Sequence, residues 1–155
     1  MNMKGSIKVV SLFALLNSTV SFAVEFRGAS IGKTCDSIIP YEQALGHEPK
    51  EGSTQDWYSF NVSFLGRDAG VVYACSNAIL QRGFYSLVFP SLSEANEFFP
   101  VALEHLKSIY GQPKKYALKA GYGSIGYWNI EDTTIQLVVT NKDDVQANIS
   151  IYVTN

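Results

Sequence analysis

The chain has 155 residues, of which 46% are hydrophobic and 17% are charged. This composition is typical of a single globular domain and excludes an intrinsically disordered chain. The formal net charge of −2 does not favour nucleic acid or anionic lipid as a partner, because both require basic patches.

The first 23 residues have the pattern of a secretory signal peptide. Lys4 and Lys8 precede an apolar run too short to span a bilayer, and Ser21 and Ala23 fit the −3 and −1 positions of a cleavage site. We predict cleavage after Ala23 and a periplasmic or secreted domain over residues 24–155. Loss of the two lysines changes its net charge from −2 to −4. Because the apolar run is short we expect no membrane span, and because no cysteine follows it closely we expect no lipobox.

Two cysteines, Cys35 and Cys75, lie in the predicted mature chain. An even number of cysteines in an exported chain indicates disulfide bonding, and only one pairing is possible. A redox-active pair is the alternative, but the cysteines lack C-x-x-C spacing.

In chain order, a short helix is predicted between Thr34 and Leu45, with Ile38, Tyr41 and Leu45 as its buried stripe. Gly46 ends this helix. Three strands are then predicted, in the segments WYSFNVSFL, AGVVYAC and ILQRGFYSLVF.

A longer helix is predicted to begin at Ser91, which forms a capping-box pattern with Glu94. Apolar residues recur at helical spacing as far as Tyr110, and Gly111 ends the helix. Pro100 is expected to kink or split it. Three strands follow in GSIGYWNIE, TTIQLVVT and VQANISIYV, and strands so close in sequence pair as antiparallel meanders.

The two helix ends, ALGHEPK and IYGQPKK, suggest that one unit occurs twice. Gly46 and Gly111 are 65 positions apart, and an offset of 64 aligns the following strands. We predict two αβββ pseudo-repeats, residues 30–90 and 91–155. They would form an α+β domain with one antiparallel sheet of about six strands and both helices on one face. This register places the disulfide between the start of the first helix and the second strand. Two unrelated units with shared helix-stop signals are the alternative.

This organisation resembles that of small exported bacterial proteins in which a helix ending in lGxP precedes an antiparallel sheet. The β-lactamase inhibitor proteins carry two such units, and outer-membrane assembly lipoproteins of the small protein A type carry one. The motifs concerned are ALGHEP and IYGQP, each with its strands. The chain has one possible bridge, whereas the inhibitors have one in each unit, and it lacks the lipobox of the lipoproteins. The resemblance implies a periplasmic binding module without specifying its partner.

Sequence motifs of catalysis and metal binding are nearly absent. His47 and His105 do not occur in H-x-x-x-H or H-E-x-x-H spacing, and there is no G-x-S-x-G. We therefore predict no enzymatic activity, no cofactor and no metal site. A hydrolase remains an alternative that would need a cleft holding His105 beside a carboxylate.

One side of the predicted sheet is rich in aromatic residues. Alternation along the strands assigns Val71, Tyr73, Leu87, Phe89, Ile135, Leu137, Val139, Ile149 and Ile151 to the helix side. The opposite side, here termed the open face, carries the predicted binding residues Trp57, Arg82, Phe84, Tyr127 and Tyr152. Tyrosine, tryptophan and arginine are the residues that most often anchor protein interfaces. A one-residue error in register would exchange the two faces.

The leading functional hypothesis is a periplasmic protein-binding module, such as an inhibitor, an immunity protein or an envelope accessory protein. It would dock onto a protein partner in the cell envelope through the open face or the hairpin loops. The alternative is a carrier that holds a small molecule or lipid between the sheet and the helices.

Overall fold

The computed structural model describes residues 24–119, 123–143 and 146–154. The predicted signal peptide lies outside these residues. The elements in chain order are β1 (Glu25–Phe26), β2 (Ala29–Ser30), α1 (Ile38–Ala44), β3 (Trp57–Phe64), β4 (Arg67–Ser76), β5 (Ile79–Phe89), α2 (Leu92–Tyr110), β6 (Lys115–Lys119), β7 (Gly123–Ile130), β8 (Thr133–Asp143) and β9 (Gln146–Thr154).

One antiparallel sheet of seven strands, in the order β3-β4-β5-β9-β8-β7-β6, forms the frame of the domain. Strands β1 and β2 form a separate small hairpin. The predicted α+β class with one antiparallel sheet is confirmed. Strand β6 raises the strand number above the expected six. Its sequence, KYALK, has two lysines and no β-branched residue, so it carries little strand signal.

Two three-stranded meanders, β3–β5 and β7–β9, meet at the centre of the sheet, where β5 pairs with β9. Their first turns begin at Leu65 and Glu131, which are 66 positions apart rather than the predicted 64. The difference of two positions equals one period of side-chain alternation along a strand. It therefore leaves each residue on the side of the sheet predicted for it. The element order fits two similar units, and the internal repeat stays a prediction.

Helix α2 follows its sequence signals closely. The backbone N–H of Glu94 donates to Ser91 Oγ at the N-cap (3.2 Å), and Gly111 ends the helix with a φ of +77°. The predicted split at Pro100 is wrong, because the helix continues without interruption through this exposed residue. No helix among the described residues is long and apolar enough to cross a membrane.

The core lies between α2 and the sheet. Its sheet side includes Val71, Tyr73, Leu87, Phe89, Ile135, Leu137, Val139 and Ile151, all of which are buried. Full burial of each large apolar side chain stabilises the fold by roughly 1.5–3 kcal/mol. The side chain of Ile149 lies outside the described part of the chain.

Helix α1 differs from its predicted pattern. Ile38 is buried as expected, but Tyr41 is 39% and Leu45 is 52% exposed, while Glu42 is fully buried. The predicted stripe is therefore wrong beyond Ile38. Residues i and i+4 share a helix face, so the orientation that buries Ile38 also turns Glu42 toward the sheet.

The predicted disulfide between Cys35 and Cys75 is confirmed. It joins the segment before α1 to β4, the second strand of the first meander, which is the predicted location. Both cysteines are buried. The bridge therefore fixes the start of the short helix to the core.

The β1–β2 hairpin lies on the helix side of the sheet and contacts both helices. Arg27 binds Glu42 of α1, and the hydroxyl of Tyr110 in α2 donates to the backbone oxygen of Glu25 (3.3 Å). The ring of Phe26 covers Gly83 of β5 so closely that a Cβ atom at Gly83 would overlap it. The hairpin is thus attached to both helices.

The segment 49–54 covers part of the outer edge of β3. Pro49 forms a bridge with Phe60, Thr54 forms one with Trp57, and the N–H of Lys50 donates to the oxygen of Ser59 (2.7 Å). These contacts satisfy backbone N–H and C=O groups of β3 that an outer strand would otherwise leave unpaired.

Candidate functional site

The predicted binding residues lie on the open face in a definite order. In the backbone register Phe84 pairs with Tyr152, Tyr152 with Gln136, and Gln136 with Tyr127. These four residues form one row across β5, β9, β8 and β7. Directly opposed residues of neighbouring strands point to the same face, so their side chains share one surface.

Three of the rings are in contact, and we define Trp57, Phe84 and Tyr152 as the aromatic cluster. The ring centroids of Trp57 and Phe84 are 5.9 Å apart in an edge-to-face arrangement, and those of Phe84 and Tyr152 are 5.6 Å apart. Trp57 is 41% exposed, and the other two rings are partly exposed. The contacts hold the rings in place while leaving part of their surface available to a partner.

Arg82 lies next to the aromatic cluster, and Tyr127 lies apart from it. The pairing of β4 with β5 shifts between Ala74 and Cys75, which leaves Gln81 and Arg82 of β5 both exposed. Tyr127 is separated from Tyr152 by Gln136, a distance of two strand spacings or roughly 10 Å. The structure therefore brings four of the five predicted residues together.

An open groove of about 750 Å³ lies farther along β3, β4 and β5, and none of the three rings of the aromatic cluster lines it. Small residues Gly70 and Ser86 contribute to its lining, together with Asn61 and the 61% exposed Val88. Asn148 pairs with Val88 in the sheet, and its buried Oδ1 atom has no hydrogen-bond partner among the described residues. The open face thus combines exposed rings, a depression and polar groups.

A buried polar network on the opposite side of the sheet was not predicted. The carboxylate of Glu42 accepts hydrogen bonds from Arg27 Nε (2.7 Å) and Nη2 (2.9 Å), and also from the hydroxyl of Tyr73. His47 Nδ1 lies 2.7 Å from the same carboxylate, and Arg27 Nη1 donates to the hydroxyl of Tyr85 (3.2 Å). The network joins the hairpin, α1, β4 and β5.

The network fixes the protonation states of its members. Burial alone would raise the pKa of Glu42, but hydrogen bonds from Arg27, Tyr73 and His47 outweigh it and lower the pKa below the ordinary value. Burial and the hydrogen bond to Glu42 raise the pKa of Tyr73. Burial tends to lower the pKa of Arg27, but hydrogen bonds to Glu42 and Tyr85 raise it overall. The carboxylate is therefore ionised and paired with a permanent cation at neutral pH.

Local sequence signals were not sufficient to identify this network. Its partners Arg27, Glu42 and Tyr73 are 15 and 31 positions apart, and no motif relates them. A glutamate next to the turn of a short helix normally faces solvent. The one available signal is the i, i+4 spacing of Ile38 and Glu42, which places both on one helix face.

A separate cavity of about 320 Å³ lies between the β1–β2 hairpin, α2 and the sheet. Phe26, Phe64 and Leu106 contribute apolar walls, and Tyr85 and His105 also line it. The histidine ring packs edge-on against Phe64 with centroids 5.5 Å apart. No hydrogen bond joins this ring to a carboxylate within the described part of the chain.

Metal ligands do not cluster in the region that the structure describes. No group of three or more histidine, cysteine, aspartate or glutamate side chains there could hold a metal ion. The polar network is occupied by its own ion pair and hydrogen bonds.

Comparison with known proteins does not assign a family. No protein-family model, curated protein or solved structure matches the chain. The resemblance to β-lactamase inhibitor proteins and to small assembly lipoproteins therefore stays a prediction, and functional inference rests on the geometry.

Proposed function

We propose that this protein is a protein-binding module of the cell envelope that docks onto a protein partner through its open face. The observation that carries the proposal is the aromatic cluster of Trp57, Phe84 and Tyr152 on the side of the sheet away from the packed core. Exposed aromatic groups in contact with one another, rather than scattered singly, are characteristic of interaction surfaces.

The cluster is suited to docking because it is held on rigid elements. Its rings belong to residues of β3, β5 and β9, and their mutual contacts restrict side-chain rotation before a partner binds. A preorganised surface loses less conformational entropy on binding than a flexible one. Exposed Arg82 adds a charged group that can form bidentate hydrogen bonds beside these rings.

The disulfide supports a location in the cell envelope. Stable disulfides form in oxidising compartments such as the bacterial periplasm and are rare in the cytosol. The buried Cys35–Cys75 bridge supports the predicted signal peptide. We therefore propose a partner in the periplasm or at a surface facing it.

Site-specific photo-crosslinking in the producing cells tests the proposal. A photoreactive amino acid is placed at Val88 on the open face, which is 61% exposed, or at Val101 on α2, which is 52% exposed. We expect a defined protein adduct from position 88 and none from position 101. Adducts of equal yield at both positions, or none at position 88, would contradict docking through the open face.

A second set of variants connects any adduct to the aromatic cluster. Replacing Trp57 and Tyr152 with Ala is expected to abolish the adduct at position 88, because truncated interface anchors each cost roughly 2 kcal/mol or more of binding. The melting temperature checks folding, and Glu97→Ala on exposed α2 surface is the control. Persistence of the adduct in the double variant would exclude the cluster as the anchor.

A further inference from the structure

The cavity between the β1–β2 hairpin and α2 has the composition of a ligand site. We propose that it binds a small, neutral and mostly apolar ring compound that carries one oxygen able to accept a hydrogen bond. This site is on the helix side of the sheet and does not depend on the proposed docking of the open face.

The cavity arises because the hairpin and α2 do not close on each other. Phe26 is held against the sheet at Gly83, and Arg27 is held toward α1 by Glu42. On the other side, the hydroxyl of Tyr110 donates to the backbone oxygen of Glu25. The space between these two attachments, over the β5–β9 part of the sheet, remains unfilled.

The space is a cleft that opens to solvent beside exposed Ile109. Its volume of about 320 Å³ equals the share of roughly ten water molecules in the liquid. Water is poorly stabilised beside walls such as Phe26, Phe64 and Leu106. Mostly apolar clefts of about 300 Å³ and more, with few polar groups, are typical sites for small ligands.

Tyr85 supplies one polar group of the site, which Arg27, His105 and Tyr110 also line. Its hydroxyl accepts a hydrogen bond from Arg27 Nη1 (3.2 Å), and its own proton has no acceptor within the described residues. Burial raises the pKa of Tyr85 and outweighs the opposing effect of Arg27, so the hydroxyl stays protonated. It is therefore a hydrogen-bond donor that a ligand oxygen can satisfy.

The charges around the cavity favour a neutral ligand. Arg27 is its only guanidinium, and two of that group's nitrogens are bound to the carboxylate of Glu42. Glu25 also lines the cavity and would repel an anion. A carboxylate ligand would thus lose its hydration without gaining an unpaired arginine.

The experiment is a nuclear magnetic resonance titration of the disulfide-bonded mature protein with three matched probes. Acetophenone is neutral and has a carbonyl oxygen, α-methylstyrene has nearly the same shape without the oxygen, and benzoate is anionic. We expect saturable shifts of amide signals in the hairpin and α2. Acetophenone should bind about three- to tenfold more tightly than α-methylstyrene, the usual range for one hydrogen bond. Benzoate should bind most weakly.

Two variants assign the binding to this cavity. Tyr85→Phe should remove the preference for acetophenone over α-methylstyrene while keeping the affinity for the hydrocarbon. Ile109→Trp, at the 55% exposed mouth of the cavity, should weaken both neutral probes at least tenfold, whereas Val101→Trp on the same helix should not. Ile109 is exposed, so this variant tests the site without disturbing the core.

Several results would overturn the proposal. These are the absence of saturable shifts with every probe, shifts centred outside the hairpin and α2, unchanged binding in Ile109→Trp, or a preference for benzoate. If Tyr85→Phe keeps the preference for acetophenone over α-methylstyrene, Tyr85 does not donate to the ligand oxygen, and the proposed ligand class is wrong.

Discussion

Glu42 receives hydrogen bonds from the hairpin residue Arg27 and from Tyr73 on β4, and it also contacts His47 beyond the end of α1. A buried ion pair is not by itself evidence of high stability, because desolvation offsets much of the attraction. Removing one partner is nevertheless costly, since the other charge is then left buried and unpaired. This single residue therefore links three parts of the chain.

Acid should weaken the fold through Glu42. Its folded-state pKa is lower than its ordinary value of about 4.5, so the unfolded state binds the proton more readily. Its contribution to the free energy of unfolding is fully present above about pH 4.5 and is lost as pH falls toward the lowered pKa. Urea denaturation between pH 7 and pH 3 measures this loss.

Glu42→Gln provides the corresponding variant. It should lower the free energy of unfolding at pH 7 by about 3–5 kcal/mol, because Arg27 is left without its counter-charge. The variant should also lose less stability than the wild type between pH 5 and pH 3. Exposed Glu51→Gln is the control and should keep the wild-type profile. Identical pH profiles for Glu42→Gln and the wild type would contradict the assignment.

Gly83 should be intolerant of a side chain. Alanine there would place its Cβ atom in the ring of Phe26, and overpacking of this kind typically costs about 1–3 kcal/mol. At Gly70 the new Cβ atom would be 3.7 Å from Lys50 Nζ, an ordinary contact, so Gly70→Ala is the matched control. Thermal denaturation should show a clear loss for Gly83→Ala only; equal effects would mean that Phe26 moves freely.

At the scale of elements, the two helices are held in different ways. Helix α2 has 19 residues, its own cap and a continuous apolar stripe, so its local sequence was sufficient to predict it. Helix α1 has seven residues and buries Ile38 and Glu42. A helix this short is marginal alone. Its orientation depends on Arg27, Cys75 and Tyr73, which are distant in sequence, and this explains why its predicted stripe was wrong.

The disulfide should contribute substantially because α1 buries so little apolar surface. Closing the 40-residue separation between Cys35 and Cys75 stabilises the fold by about 4 kcal/mol on a chain-entropy basis. Replacing both cysteines with Ser should lower the free energy of unfolding by a comparable amount, with the fastest hydrogen exchange in α1. Thiol labelling of unfolded, unreduced protein should detect no free thiol, and two labelled thiols would refute the bridge.

At the scale of the whole molecule, the sheet separates a packed side from an open side. The period-two alternation of strands is local, so the sequence was sufficient to place Trp57, Phe84 and Tyr152 on one face. Their contacts depend on β5 and β9 being neighbours, which no local pattern specifies. The β1–β2 hairpin and its cavity were not predicted because two-residue strands carry no periodicity.

The two meanders should unfold together. Strands β5 and β9 belong to different meanders and pair with each other at the centre of the sheet. Helix α2 packs on both meanders, on β5 of the first and on β7, β8 and β9 of the second. We therefore expect one transition in calorimetry and the slowest amide exchange in β5, β8 and β9. Two resolved transitions, or protection confined to one meander, would show that the halves are independent.

The contacts made by Pro49, Lys50 and Thr54 along β3 bear on how the protein behaves when concentrated. An uncovered outer strand can add strands from other chains and so begin aggregation. The segment 49–54 occupies the Trp57–Phe60 part of this edge, so only its far end remains accessible for strand addition. The open face can therefore carry exposed rings while the adjacent edge gives little opportunity for fibre growth. Shortening this segment is expected to make the protein aggregate at lower concentration, while its melting temperature stays nearly unchanged.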